Sequence, residues 1–145
     1  MKKNNYNYII VAGCSRFGAN IASMLSLQGK DVVVLDNDSR SFRKLSPGYS
    51  GFTNIADATD IDELTRAGIE KADVVVAATN DDNTNIMIAQ IASKIFNVPK
   101  VVSRLYDTEK EIVYQDFNIQ IIYPSRLSMN EFEKLILTDD MEVLK

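Results

Sequence analysis

Residues 8–18 read YIIVAGCSRFG, and residues 31–38 read DVVVLDND. The run Tyr8 to Ala12 has no polar alternation, the pattern of a parallel strand buried on both faces. A glycine-bearing turn follows from Gly13 to Gly18. Residues Ala19 to Gln28 then put Ile21, Ala22, Leu25 and Leu27 near helical spacing, with Gly29 placed to end that helix in a left-handed conformation. Asp31 to Leu35 is a second buried strand that terminates at Asp36. Strand, glycine turn, helix and strand make one right-handed crossover unit.

The same alternation runs outward along the chain. Ser39, or Asp38 before it, is placed to cap a short helix through Leu45, and Pro47-Gly48 breaks it. A third strand is expected over Gly51 to Ile55, then a helix from Asp60 to Ala67 stopped by Gly68. Asp73 to Ala78 repeats the pattern of the second strand. The run NDDNTN (80–85) offers several N-caps for a long helix to Phe96, with Ile88, Ile91, Ala92 and Ile95 on one face. Lys100 to Ser103 and Ile119 to Ile122 are the fifth and sixth strands, separated by a helix near Glu109 to Phe117. Pro124 precedes a last amphipathic helix whose stripe is Leu127, Phe132, Leu135 and Ile136. Strict alternation predicts an α/β, Rossmann-like, doubly wound three-layer fold with a roughly six-stranded parallel sheet. No composition break divides residues 1–145, so one domain is expected. In such a fold ligands bind beyond the carboxyl ends of the strands, so Gly13, Asp36, Asp57, Thr79 and Arg104 should ring one crevice.

Composition narrows the classes. With 46% hydrophobic residues among 145 the chain can close a core, and 25% charged residues with net charge −4 describe an ordinary soluble surface. Nucleic acid is not expected as a partner, because Lys2-Lys3 and the stretch Arg40 to Lys44 are too short to neutralise a phosphate backbone. Cys14 is the single cysteine and histidine is absent, which excludes an intramolecular disulfide and a cysteine or histidine zinc site. The N-terminal apolar run is too short for a signal peptide. No stretch approaches the ~20 apolar residues of a membrane span, so no direct membrane insertion is expected and the chain reads as cytoplasmic.

The loop GCSRFG fits a dinucleotide fingerprint at Gly13 and Gly18, with Ser15 in place of the second glycine. The first glycine permits the tight turn, the third lets helix pack on strand, and the second normally lets a phosphate approach the backbone. Serine there is expected to shift the phosphate outward or to donate it a hydrogen bond. The helix N-terminus near Arg16 and Phe17 presents free amides to an anion, and Arg16 adds a charge. Asp36 closes the next strand at the spacing of an acid that holds a ribose diol, which favours NAD-like or adenosine ligands over NADP.

Beyond the loop, the chain reads VVVLDND (32–38), IADATDIDELTRAGIEKAD (55–73), VVVAATNDDNTN (74–85) and VVSRLYD (101–107). Together these segments resemble the RCK, KTN or TrkA-N nucleotide-binding domains of bacterial potassium-transport regulators, over nearly the whole chain. Ala56 departs from the glycine of many members. The resemblance implies that Asp57 and Ala58 lie against an adenine, that Ala78 and Thr79 line the ribose or phosphate side, and that Arg104 faces the distal end. Cys14, Asn37 and Asn80 fall in the same loops and join the candidate set. The implied ligands are NAD(H) or an adenine mononucleotide (AMP, ADP or ATP). The implied role is a regulatory subunit, a homodimer or larger ring, that gates a membrane potassium transporter or channel subunit from the cytoplasmic side of the inner membrane.

A NAD-dependent oxidoreductase, or a fragment of one, is the rival reading. The chain has no histidine to move a proton, and no second domain to hold a substrate is expected. Tyr106 to Lys110 fits a Tyr-x-x-x-Lys spacing with Ser93 upstream, but Ser93 falls inside the long predicted helix. Cys14 at a helix N-terminus is read as a small packing residue rather than a reactive thiol. No Walker-type phosphate loop is present.

Overall fold

Six strands form, the central ones over apolar, β-branched runs: β1 (Tyr8–Ala12), β2 (Asp31–Asp36), β3 (Phe52–Ile55), β4 (Val74–Ala77), β5 (Lys100–Arg104) and β6 (Ile119–Ile122). They were located in a computed structural model that describes residues 5–114 and 117–143, with side chains described through residue 137. All pair in parallel in the order β3-β2-β1-β4-β5-β6. The order reverses between β1 and β4, and there the connections diverge to opposite halves of the sheet and leave a crevice.

Period-two alternation sends each strand's side chains to two layers. Ile10, Ala12, Val33, Leu35, Val75 and Ala77 pack with Leu64, Ile88, Ala89 and Ala92 of the helices α2 (Ile61–Arg66) and α3 (Asp82–Gln90) and the turn after α3. Ile9, Val11, Val32, Val34, Val74 and Val76 pack with Ala19 and Ala22 of α1 (Arg16–Leu27). The expected three-layer, doubly wound parallel architecture is therefore the one observed.

Helix α1 starts at Arg16, where its N-terminus was expected, because the Ser15 hydroxyl accepts from the Gly18 amide and caps it there. Several local expectations change. Asp38, not Ser39, caps the following 3-10 helix, Ser39–Lys44, by accepting from the Arg40 amide. β3 begins at Phe52 rather than Gly51. Asp60 and Gly68 (φ 88°) bracket α2 as its composition demands. Helix α3 does not run unbroken to Phe96: it widens into a π-helical segment, Ile91–Ile95. That widening turns Ile95 off the buried face, leaving it 53% exposed while Ile88, Ile91 and Ala92 stay buried. The expected helix near Glu109 is a 3-10 helix, Thr108–Tyr114, and residues 115–116 lie outside the described residues, as does Lys2-Lys3.

Helix α4 (Pro124–Val143) begins on Pro124 itself. Its stripe does not pack on the sheet: Leu127, Phe132, Leu135 and Ile136 are exposed. No described helix is long and apolar enough to cross a membrane.

Candidate functional site

The turn after β1 is built around two positions that admit no side chain. Gly13 holds φ +108°, and a Cβ there would meet the Thr79 amide nitrogen at 2.7 Å. At Gly18 a Cβ would meet the Gly13 carbonyl oxygen at 2.1 Å. The first requirement brings the β1 and β4 ends together, and the second lets α1 close on the turn. The result is a backbone cradle with the first-turn amides of α1 at its lip. The Gly18 amide is taken by Ser15, which leaves those of Arg16 and Phe17 for an anion.

Ser15 does not face this cradle. It is buried in an extended conformation (φ −71°) that needs no glycine, and its hydroxyl donates to the Ala78 carbonyl at 2.5 Å. The expected hydroxyl contact to a phosphate is replaced by a bond that ties the turn to the end of β4. Cys14 is likewise buried: its thiol lies 3.3 Å from the Ser41 carbonyl, and burial, then the Asp36 charge, push its pKa up against the pull of Lys44. A thiol held protonated in this way is a packing group.

Asp36 stands at the end of β2 with its carboxylate fixed by two backbone donors. Cys14 N–H reaches Oδ2 at 2.9 Å and Asp38 N–H reaches Oδ1 at 2.8 Å. Each oxygen keeps lone-pair capacity for a further donor.

A cavity of about 330 Å3 opens over these strand ends. Gly13 forms its floor with Leu35 and Ile88; Asp36, Asn37, Asp57 and Ala58 line one side, and Thr79 and Asn80 the other. Asp57 accepts at Oδ1 from both the Thr59 amide and hydroxyl, which holds its carboxyl below the usual range. Its own amide donates to Glu63, locking the ADAT turn against α2. Of the expected site residues, the cavity thus gathers Gly13, Asp36, Asn37, Asp57, Ala58, Thr79 and Asn80. Arg16 stands exposed at the α1 N-terminus and Phe17 half-buried beside it, while Cys14, Ser15, Gly18 and Ala78 lie buried behind the wall.

Arg104 is displaced most from its expected place at the ligand's distal end. It is only 6% exposed and does not line the cavity. Its Nη2 donates to the Thr79 carbonyl (2.8 Å) and Asn80 Oδ1 (3.0 Å), and its guanidinium lies between the Phe17 and Tyr106 rings. Burial pulls its pKa down, against the carboxylate of Asp82. The buried Nε has no partner among the described residues.

Asn85, which carries no expected role, is the central polar residue of the wall. Fully buried, it accepts from the Thr79 amide (2.9 Å) and hydroxyl (2.6 Å) and donates to the Thr79 and Arg104 carbonyls. Asp82 accepts from the amides of Tyr106 and Asp107 at 2.8 and 2.9 Å. One turn of α3 thereby fixes the ends of both β4 and β5. Asp81 and Thr84, which also line the cavity, are bonded to each other at the α3 N-cap. The polar run NDDNTN, expected only to start a helix, held that information. The Tyr106 to Lys110 spacing assembles no catalytic pair: Tyr106 packs on Arg104, Lys110 reaches Asn83, and Ser93 lies about three helical turns from the start of α3.

With the geometry described, relatives are informative. Residues 9–124 match the TrkA-N domain family. The Trk system potassium uptake protein TrkA of Streptomyces coelicolor is 34% identical over 137 residues, covering 94% of this chain and 61% of that protein. The chain therefore spans less than two thirds of this relative's length. Among solved structures, the GsuK channel bound to NAD superposes with a TM-score of 0.77 at 21% identity, over 97% of this chain and 25% of that one. The AMP-bound Kef C-terminal domain of Shewanella denitrificans gives a TM-score of 0.70 at 24% identity, covering 91% and 82%. At these identities the two structures speak to the fold.

Proposed function

The chain belongs to the TrkA-N family, and from that premise we propose that it is a regulatory subunit of a potassium transport system. It binds NAD(H) or an adenine mononucleotide (AMP, ADP or ATP) in the crevice over β1, β2 and β4, and it gates a membrane transporter or channel subunit. The observation that carries this reading is the convergence of the side-chain-free turn at Gly13 with the Asp36 carboxylate on one crevice, with Gly18 behind it letting α1 close on the turn.

The geometry supports the following roles. Amides of Arg16 and Phe17 and the α1 dipole hold the phosphates, with the Arg16 guanidinium free to join them. Asp36 accepts the two ribose hydroxyls on lone pairs its backbone donors leave open. Asp57 and Ala58 flank the adenine, and Thr79 and Asn80 close the opposite wall. In NAD-bound GsuK and AMP-bound Kef the relatives named above carry ligands of this class. Arg104 acts from beneath the wall, holding Thr79 and Asn80 in position.

The function is regulation rather than turnover, since the crevice presents binding groups and no proton-transfer pair. Regulation requires that the ligand bind one conformation better than another. The exposed stripe of α4 supports assembly with a second copy, and the S. coelicolor relative's name supports a potassium-uptake partner.

A thermal-shift series with NAD, NADH, AMP, ADP, ATP and NADP tests the binding step. A ligand at a hundred times its Kd stabilises the fold by about 2.7 kcal/mol and raises Tm accordingly. No rise with any of the adenine ligands refutes the reading. Potassium uptake by a deletion strain under potassium limitation tests the regulatory step, and wild-type uptake refutes it.

A further inference from the structure

The segment that follows Asp36 carries its own cations, and their disposition bears on which sugar the crevice accepts. Two successive side-chain turns wind over the end of β2. Asp36 Oδ1 accepts from the Asp38 amide at 2.8 Å, and Asp38 Oδ1 then accepts from the Arg40 amide at 3.0 Å. Arg40 folds back so that Nε reaches Asp38 Oδ1 at 3.1 Å and Nη2 reaches Oδ2 at 3.0 Å. Both prongs of the guanidinium fork are thus taken by one carboxylate. A second cation, Lys44, is anchored on the Cys14 carbonyl at 3.1 Å.

A guanidinium close to the ribose acid is the group that would accommodate a 2′-phosphate. Here Arg40 stands four residues beyond Asp36, outside the residues that line the cavity, and its guanidinium is engaged by Asp38. We propose that Asp38 is a specificity-determining residue of this site: by engaging Arg40 and adding a second carboxylate beside Asp36, it excludes ligands phosphorylated at the ribose 2′-hydroxyl. The inference rests on the nucleotide reading above and deepens it. A free 2′-hydroxyl donates to Asp36, whereas a 2′-phosphate in the same place meets two carboxylates and finds the fork occupied. Because the Arg40 side chain is 80% exposed, the pair is held by local charge and not by packing, and removing the Asp38 charge releases the fork without disturbing the core.

Calorimetric titration with NAD and NADP tests this on wild type, Asp38→Asn, Asp36→Ser, Asp36→Ser/Asp38→Asn, and that double variant with Arg40→Ala. Asparagine at 38 still accepts from the Arg40 amide, so the cap is kept while the charge is lost. Wild type should prefer NAD, and Asp38→Asn alone should shift the NADP/NAD affinity ratio about threefold toward NADP. The double variant should bind NADP about tenfold more tightly than Asp36→Ser, a gain that fades with salt and vanishes with Arg40→Ala. An unchanged ratio in Asp38→Asn, a double variant no better than Asp36→Ser, or a gain that survives Arg40→Ala overturns the proposal. Should Asp36→Ser not fold, the Asp38→Asn ratio decides alone. Wild-type protein that binds none of NAD, NADP, AMP, ADP and ATP refutes the site reading and takes this inference with it, whereas binding of a mononucleotide alone overturns only this inference. NAD binding without the predicted shift refutes only the role of Asp38.

Discussion

Replacing Asp36 by alanine separates the two tasks the structure gives that carboxylate. In the free protein it is the acceptor for the amides of Cys14 and Asp38. Water can serve Asp38 after the change, but Cys14 is buried and its amide is left unpaired, at a cost of about 2 kcal/mol. For a domain of this size that lowers Tm by about 7 °C. In the complex two charge-assisted bonds to ribose hydroxyls are lost as well, worth about 3 kcal/mol together, or about a hundredfold in Kd. Differential scanning calorimetry reads the first effect, and isothermal titration with the best ligand reads the second on protein shown to be folded. A lowered Tm with unchanged affinity would refute the sugar role while leaving the loop geometry standing. An unchanged Tm would refute the hydrogen-bond frame itself.

Three further outcomes follow from the same geometry. Ser15→Gly removes a cap and the bond to Ala78 but nothing that faces the ligand, so stability should fall by about 1 kcal/mol with nucleotide affinity held within a factor of about three; a large gain in affinity would show that the hydroxyl obstructs the phosphate after all. Asn85→Leu leaves the Thr79 amide and two carbonyls without their buried partner and should cost about 3 kcal/mol or more in urea titration, well above an exposed control such as Asn83→Leu; equal losses would deny Asn85 its place in the wall. Burial pushes Tyr49 and Tyr114 from 10.0 up to about 12, so the unfolded chain ionises first as pH rises. The stability they contribute is complete below pH 10 and lost between pH 10 and about 12, and Tyr114→Phe should flatten that alkaline slope.

What the sequence made legible and what it hid divide along a physical line. The central strands were readable because burial on both faces forces an unbroken apolar run, as in DVVVL, and the crevice followed because alternation with right-handed crossovers leaves one place for it. Gly13, Gly18 and Asp36 were readable because steric exclusion and charge at a strand end are properties of single residues. The direction a polar side chain takes is not such a property. Ser15 was expected to shift a phosphate outward or to donate it a hydrogen bond, yet the Ala78 carbonyl, 63 residues along the chain, claims its hydroxyl. Arg104 was expected to ring the crevice and face the ligand's distal end, yet the Thr79 carbonyl, which it shares with Asn85, and two aromatic rings hold it beneath the wall. Asn85 drew no attention because NDDNTN reads locally as a helix cap, and only tertiary pairing gives its side chain four bonds across β4 and β5. These three residues share a consequence. The cavity wall at Thr79 is held from behind by Asn85 and Arg104, which also reach the end of β5, so a ligand that moves Thr79 must strain or release bonds to the strand beyond. That is the physical requirement for a binding event in the crevice to be felt elsewhere in the molecule.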